Sequence, residues 1–509
     1  MRSEHLTAVG AAIERRARPL LALLLAAVAA VTLVLAHRKP LWNDELFTYY
    51  VSRLGIDDMW STLATGVEQT PLTFYVATRA SLDVLGDGGI AMRLPELLGF
   101  LLMSVCVFLF VERRSSPLYG LVAVILPVAT IAYGYAYEAR AYGLVLGFSA
   151  AALLCWQVAA EAGPHRRLAA LGTALSLAAA VASHYYAVLI LLPLLAGEAT
   201  RSAVRKRIDW LVLGSFCGAL VPLLAFSSLI AEAKDYSTSF WAQPTWHAAI
   251  RFYPDSLMDR PLGLVLAGFA AIVMFVVWRS WSTRRRSGPN LPPLHELAAL
   301  VTLALLPFFG VALGKLVTGA YTDRYVLSAI VGITILIALA AWWTDAGVPT
   351  LGLSMLLVFA LFAGARIVER NDDATVDADA QAQALAFLDR HRGAGEPIAV
   401  ASPHDFFELS HRVARDGGPR LIYLADPALA RRYLETDAVE LGVTGMKGIA
   451  PLRVEPYRRF VASHSRFVVY GRYRAWDWLT SELQASGAHT RVMARNSENG
   501  APLIDVRGP

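Results

Sequence analysis

The chain reads as a polytopic α-helical membrane protein with a C-terminal extracytoplasmic α/β domain, and three observations predict it. Of 509 residues, 56% are hydrophobic and only 17% charged, with a mean hydropathy of +0.46; a soluble globular chain is about a quarter charged. About eleven apolar runs have lengths near what a ~30 Å hydrocarbon core requires. The arginine clusters between those runs all fall on one side once the N-terminus is placed inside.

Arg18 is followed by an uninterrupted apolar stretch from Pro19 to Ala36, the first predicted span. It is long, and no small-residue cleavage site precedes His37-Arg38-Lys39, so it does not read as a cleavable signal peptide. Further spans are predicted at 93–111, 117–134, 141–160, 168–183, 186–199, 209–230, 261–278, 295–314, 325–343 and 349–366. The segment 71–86 competes, but it carries Arg79 and Asp83 and reads as an amphipathic helix lying at the interface. The inside loops then hold Arg15-Arg16-Arg18, Arg113-Arg114, Arg166-Arg167, Arg201 with Arg205-Lys206-Arg207, and Arg279 with Arg284-Arg285-Arg286. Counting 71–86 as a span would put Arg113-Arg114 on the opposite side from the rest. Outside lie the loop 37–92, the turns at 137–140 and 184–186, the loop 231–260, the turn 315–324 and everything after about residue 367. Residues 1–366 thus form the membrane part and 367–509 the soluble part.

The last part changes composition. Pro397–Ala401, Leu421–Leu424 and Arg466–Tyr470 are short apolar strand-like runs, and Ala380–Arg392, Asp405–Arg415 and Trp476–Ala485 have helical spacing between them. Alternating strands and helices predict a small α/β layer. No Gly-rich phosphate loop follows any of these strands, so neither a nucleotide site nor a nucleotide cofactor is expected. The net charge of +5 comes mostly from loop arginines and reports orientation, not nucleic-acid binding. Cys106, Cys155 and Cys217 all lie in apolar runs, which argues against a disulfide framework or a zinc cluster.

The outer segments collect residues that are costly to keep near lipid. Trp42-Asn43-Asp44-Glu45-Leu46 opens the first loop. Adjacent carboxylates at a membrane surface serve as a catalytic base and as a binder of metal or hydroxyl, or else they are solvated loop acids. Glu138 and Arg140 sit in the turn joining two spans, either as a pair that seals the turn or as part of a site. Arg324, flanked by Asp323 and Tyr325, stands at an outer helix end, where a guanidinium forks onto a phosphate or anchors at headgroups. His184 and Tyr185, and the lone outer cations Lys234 and Lys315, are weaker candidates.

These pieces together resemble the C-type (GT-C) glycosyltransferases, in particular the protein O-mannosyltransferase-like and lipid A aminoarabinose transferase-like branch. The resemblance runs from about residue 19 to 366. Its carriers are Asp44-Glu45 after the first span, Gln69-Thr70-Pro71-Leu72 before an aromatic pair, Met92-Arg93-Leu94-Pro95, the Glu138-Ala139-Arg140-x-Tyr142 turn, and Arg324-Tyr325. The chain departs from the family pattern at Gln69-Thr70, where His-Pro is usual, and at Glu96, where a small residue is common.

The resemblance implies an inverting transferase in a plasma (bacterial inner) membrane. Its donor would be a polyprenyl-phosphate sugar and its hydroxyl acceptor a lipid, glycan or protein of the cell envelope. An inverting transfer needs one base and no enzyme nucleophile. Asp44 is the expected base, Arg140 and Arg324 the expected binders of the donor phosphate, and Glu45 and Glu138 the expected binders of acceptor or metal. Hard carboxylates would select Mg²⁺, Mn²⁺ or Ca²⁺. A transporter or flippase of lipid-linked sugars is the alternative, but transporters tend to place charge at mid-span and to show repeat symmetry, and neither is evident. A scaffold with the spans as mere anchor needs far fewer spans.

The one-sided arginine pattern predicts a cytoplasmic N-terminus and an extracytoplasmic C-terminal domain. A reporter active only outside the cytoplasm, fused after Pro509, should be active; a silent reporter on a stably accumulating fusion would reverse the topology.

Overall fold

The computed structural model describes residues 2–236, 240–256, 292–345, 349–391, 397–471, 476–497 and 499–507. Within these, five helices are long and apolar enough to cross a membrane: Ala17–Arg38, Gly89–Glu112, Tyr142–Ala160, Tyr185–Arg205 and Thr350–His391. Two bent pairs raise the number to seven, Trp210–Ala225 with Ser227–Ala233 at 64° and Leu294–Ala304 with Leu306–Thr318 at 54°. Pro307 accounts for the second bend, because its ring removes an amide donor and crowds the preceding turn. The shorter helices Pro117–Val128, Arg166–Ser183 and Ala329–Asp345 occupy the other predicted positions. The predicted span 261–278 and the cluster from Arg279 to Arg286 lie outside the described residues. The chain is a multi-pass membrane protein, with five to seven full-length spans among the described residues.

By packing, the chain divides into two units: 1–36 with 90–227 and 244–370, and 37–89 with 228–243 and 371–509. The sequence reading cut the chain by hydropathy at 366; packing groups the first outer loop with the C-terminal residues.

The helical unit is drawn together by small residues. A Cβ at Gly99 would meet the Gly143 backbone, and one at Gly147 would meet the Gly99 backbone. Gly143-x-x-x-Gly147 thus lets helices Gly89–Glu112 and Tyr142–Ala160 cross at backbone contact, as small-residue spacing does in lipid. Elsewhere Ser328 Oγ donates to Ser149 Oγ at 3.0 Å. Arg93, fully buried, donates to the Ala36 carbonyl at 2.8 Å, closing the end of the first span.

Several of the arginines that the sequence reading places inside are ion-paired. Arg114 Nε donates to both oxygens of Glu296, at 3.0 and 2.8 Å, and Gln157 adds a bond to the same carboxylate at 3.2 Å. Arg113 and Arg114 share Glu161. Arg201 pairs with Glu198 at 2.7 Å and with Asp209 at 2.8 Å, and Arg166 joins Asp209. Burial pushes the Asp209 carboxyl up, but Arg201 and Arg166 outweigh it and hold it below its ordinary range.

The other unit is built on a six-stranded sheet: β1 Ile398–Val400, β2 Leu421–Ala425, β3 Val454–Pro456, β4 Arg466–Tyr470, β5 His489–Arg495 and β6 Pro502–Arg507, in the order β3-β2-β1-β4-β6-β5. The first four in that order are parallel, and β6 runs antiparallel to both β4 and β5. Ile422, Leu424, Phe467, Val469, Trp478 and Leu483 supply its apolar core. Glu440 is buried there, accepting from Tyr423 OH, from Trp478 Nε1 at 3.2 Å and from the Asp426 amide at 2.6 Å. Burial holds its carboxyl above the ordinary range despite those donors.

Helix Pro403–Asp416 follows β1, capped by Ser402, which accepts from the Asp405 amide at 3.3 Å, and ended by Gly417 at φ +77°. The predicted helix 380–392 is not separate. It is the end of the continuous 42-residue helix Thr350–His391.

The Glu296 side chain is fully buried and the Glu161 side chain 41% exposed. Glu296→Ala should therefore cost about 3 kcal/mol, since it strands a partly buried guanidinium. Glu161→Ala should cost under about 1 kcal/mol. Unfolding in detergent micelles reads the difference.

Candidate active site

The acidic motif folds as a helix start. Trp42 is extended (φ −97°, ψ 172°) and helix Asn43–Ser52 follows, with Asp44 and Glu45 in the first turn, where the macrodipole favours negative charge. Glu45 is fully buried and its Oε2 accepts the Trp42 amide at 3.4 Å, so it caps its own helix. Asp44 is half-buried, and its carbonyl accepts from Thr48 Oγ1 at 3.3 Å.

One face of this helix packs on helix Pro403–Asp416. The Asn43 amide donates to Glu408 Oε1 at 3.3 Å, and Phe47 meets Phe407 edge-on at 5.3 Å. Tyr50 stacks on Phe407 at 5.9 Å, and its hydroxyl lies 2.8 Å from His411 Nδ1. Burial, then the Arg415 and Arg412 cations, hold the His411 imidazole down at about 4, against the opposing pull of Asp416.

In the helical unit, a second group gathers at the ends of three spans. Arg140 is buried in the turn before helix Tyr142–Ala160, and Arg324 lies in the short helix Asp323–Val326 with its guanidinium 5.9 Å from the Tyr142 ring centroid. His184 lies 5.2 Å from Tyr142 and 5.0 Å from Tyr325, ring to ring, and Tyr186 is 4.6 Å from Tyr325. Burial comes first, then the Arg140 and Arg324 charges, in holding the His184 imidazole down at about 3. Its Nδ1 accepts the Tyr186 amide at 3.3 Å, so the neutral ring carries its proton on Nε2. The result is two guanidiniums, a neutral histidine and three tyrosines: a cationic, hydrogen-bonding pocket wall suited to a phosphate.

The remaining candidates are placed as follows. Glu138 is half-buried in the same turn as Arg140, and its carbonyl accepts the Arg140 amide at 2.8 Å. Asp323 is half-buried beside Tyr321, whose phenol burial first and Asp323 second hold above its ordinary range. The Tyr185 hydroxyl is buried with no hydrogen-bond partner among the described residues, so it calls for a water or a ligand oxygen. Lys315 is exposed in the turn Gly314–Thr318, and Lys234 falls on helix Ser227–Tyr236. Among the described residues, no three His, Cys, Asp or Glu side chains gather as a metal-binding group. A divalent ion at Glu45 or Glu138 would have to complete its shell with water or phosphate oxygens.

Residues 68–228 match the dolichyl-phosphate-mannose-protein mannosyltransferase family. The fold is similar to that of ArnT from Cupriavidus metallidurans in the apo state, with a TM-score of 0.58 at 13% identity over 95% of this chain and 97% of that one. The same ArnT bound to undecaprenyl phosphate gives a TM-score of 0.58 at 14% identity, with equal coverage. The chain thus shares its fold with ArnT. No curated protein matches this chain in sequence.

Three neighbours of these residues were not among the candidates read from the sequence. Glu96, the departure from the family pattern, accepts the Leu144 amide at 2.9 Å and lies within electrostatic reach of Arg140, so it supports the turn that carries this arginine. Its position in a span was the available signal, since a buried carboxylate there needs a partner. Arg366 and Arg370 act electrostatically on Tyr137, next to Glu138. No spacing rule joins them to that turn.

Folded His411 refuses a proton that the unfolded chain accepts below about pH 6.5. Its stabilising contribution is full above that pH and is lost progressively as pH falls towards about 4. The thermal midpoint of the purified protein should fall over this window, and His411→Gln should flatten the fall.

Proposed function

We propose that this glycosyltransferase moves a sugar from a polyprenyl-phosphate donor to a hydroxyl acceptor on the extracytoplasmic side, with inversion at the anomeric carbon. The observation that carries the reading is the convergence of Arg140, Arg324 and neutral His184 within an aromatic cluster at the span ends. A lipid tail lies between spans while its phosphate reaches that cluster. The mannosyltransferase family match and the ArnT structure with undecaprenyl phosphate support a lipid-phosphate donor.

In the proposed reaction, Asp44 accepts the proton of the acceptor hydroxyl. The acceptor oxygen attacks the anomeric carbon, the bond from that carbon to the phosphate oxygen breaks, and the polyprenyl phosphate leaves with its extra charge on the arginines. His184 donates from Nε2 without adding charge. A hard divalent ion at Glu45 or Glu138 is proposed as an auxiliary; chelation by EDTA should then lower turnover, and Mg²⁺ or Mn²⁺ should restore it.

Purified protein should transfer sugar from a defined polyprenyl-phosphate sugar, within a panel tested against cell-envelope acceptors. Turnover with a nucleotide sugar in a lipid-free system would overturn the donor. Asp44→Asn should abolish transfer and retain donor binding, with Glu45→Gln costing less. Arg140→Ala or Arg324→Ala should weaken donor binding at least a few-fold, Lys restoring only part. Normal turnover by Asp44→Asn would reject the base.

A further inference from the structure

The sheet of the C-terminal residues has a topological switch point between β1 and β4, the place where open α/β sheets hold ligands beyond the carboxyl ends of their strands. Tyr470 ends β4, and Asp405 and Glu408 lie on the first two turns of the helix after β1; with Gln381 they line a small recess there. Glu408 is nearly fully buried, and both its oxygens are engaged within the chain. Oε2 accepts from Gln381 Nε2 at 2.9 Å, and Oε1 accepts from the Asn43 amide at 3.3 Å.

The Asn43 amide is the first N–H of the acidic helix and has no acceptor within that helix. Glu45 takes the amide of Trp42 and Glu408 that of Asn43, so the two amides that precede Asp44 are both engaged. Asn43, Phe47 and Tyr50 lie at i, i+4 and i+7 on one stripe, and each meets the same partner helix, through Glu408, Phe407 and His411. The two ends of the stripe are fixed by polar bonds and its middle by an aromatic contact.

We propose that Glu408 is a positioning residue for transfer: it grips the amide at the start of the acidic helix and so fixes where the Asp44 carboxylate stands. The proposal rests on Asp44 being the base. It assigns the C-terminal domain a task in the chemistry, carried out by a side chain at the crevice where related sheets bind small molecules.

Asn43 is the first helical position, where proline is well tolerated, and extended Trp42 suits a residue before proline. Asn43→Pro therefore deletes the gripped N–H and keeps the helix, and Asn43→Ala serves as its reference. In the full-length protein, Glu408→Ala should lower kcat about 10- to 100-fold with the donor KM within about twofold. Asn43→Pro should match that loss relative to Asn43→Ala. The double variant should be no worse than either single one, because both remove one bond. Glu408→Gln, which retains an acceptor oxygen, should recover most of the rate. Should Glu408→Ala not accumulate, the Asn43 pair and Glu408→Gln decide.

Asn43→Pro turning over like Asn43→Ala, or losses that multiply in the double variant, would overturn the positioning role. Asp44→Asn is measured alongside. Its normal turnover would reject the base assignment, while the coupling between 43 and 408 is still read from the cycle.

Discussion

Hydrocarbon does not tolerate unpaired charge, and that constraint organises the helical unit. Apart from Glu96 and Arg366, the ionisable side chains described above stand near the ends of its spans. Where helix Gly89–Glu112 finishes and Leu294–Ala304 begins, Arg114 is locked to Glu296 and shares Glu161 with Arg113. Where helix Tyr142–Ala160 begins, Arg140 and Arg324 neighbour a neutral histidine and a ring of tyrosines. Carboxylates held in hydrogen-bond contact make the first set a structural staple. Aromatic rings and a buried histidine line the second set.

The second unit obeys a different economy of polar groups. Water reaches its surface, yet its sheet buries Glu440 and Glu408, and each earns its place by taking several donors. Glu440 ties the end of β2 to Trp478 within the domain. Glu408 reaches outside the domain's own sequence to a loop that follows the first span. The acidic motif is therefore seated on the helix that follows β1, which packs in turn on a sheet of largely parallel strands.

Much of the fold was legible because hydropathy and strand composition are local signals. The spans announce themselves by length, and β1, β2 and β4 by short runs of Val, Ile, Leu and Tyr. β5 was not legible: His489–Arg495 mixes charge with apolar residues and is mostly exposed along its length. β3 is three residues ending in proline. The span predicted at 117–134 ends early, at Val128, because Thr130 starts the 3₁₀ turn Ile131–Ala136 by accepting the Ala132 amide at 3.2 Å. For the site, the residue types at 44, 140, 184 and 324 were readable as costly polar groups near lipid. The convergence of Arg140, His184 and Arg324 was not, since it is made by three separate hairpins of helices. Glu408 was invisible, a single acid on an amphipathic helix with nothing in the sequence tying it to Asn43.

The bond between Asn43 and Glu408 joins positions 365 apart in the chain. At a synthesis rate of about 5–20 residues per second, the acidic helix waits roughly 20 to 70 s for its support to be made. Throughout that interval the nascent chain already holds its early spans and its acids, but the acids lack their final seat. Seating of the acidic helix is therefore tied to synthesis of the C-terminal part of the chain. A ribosome that stops short of Glu408 leaves the early spans made and the acidic helix without this support.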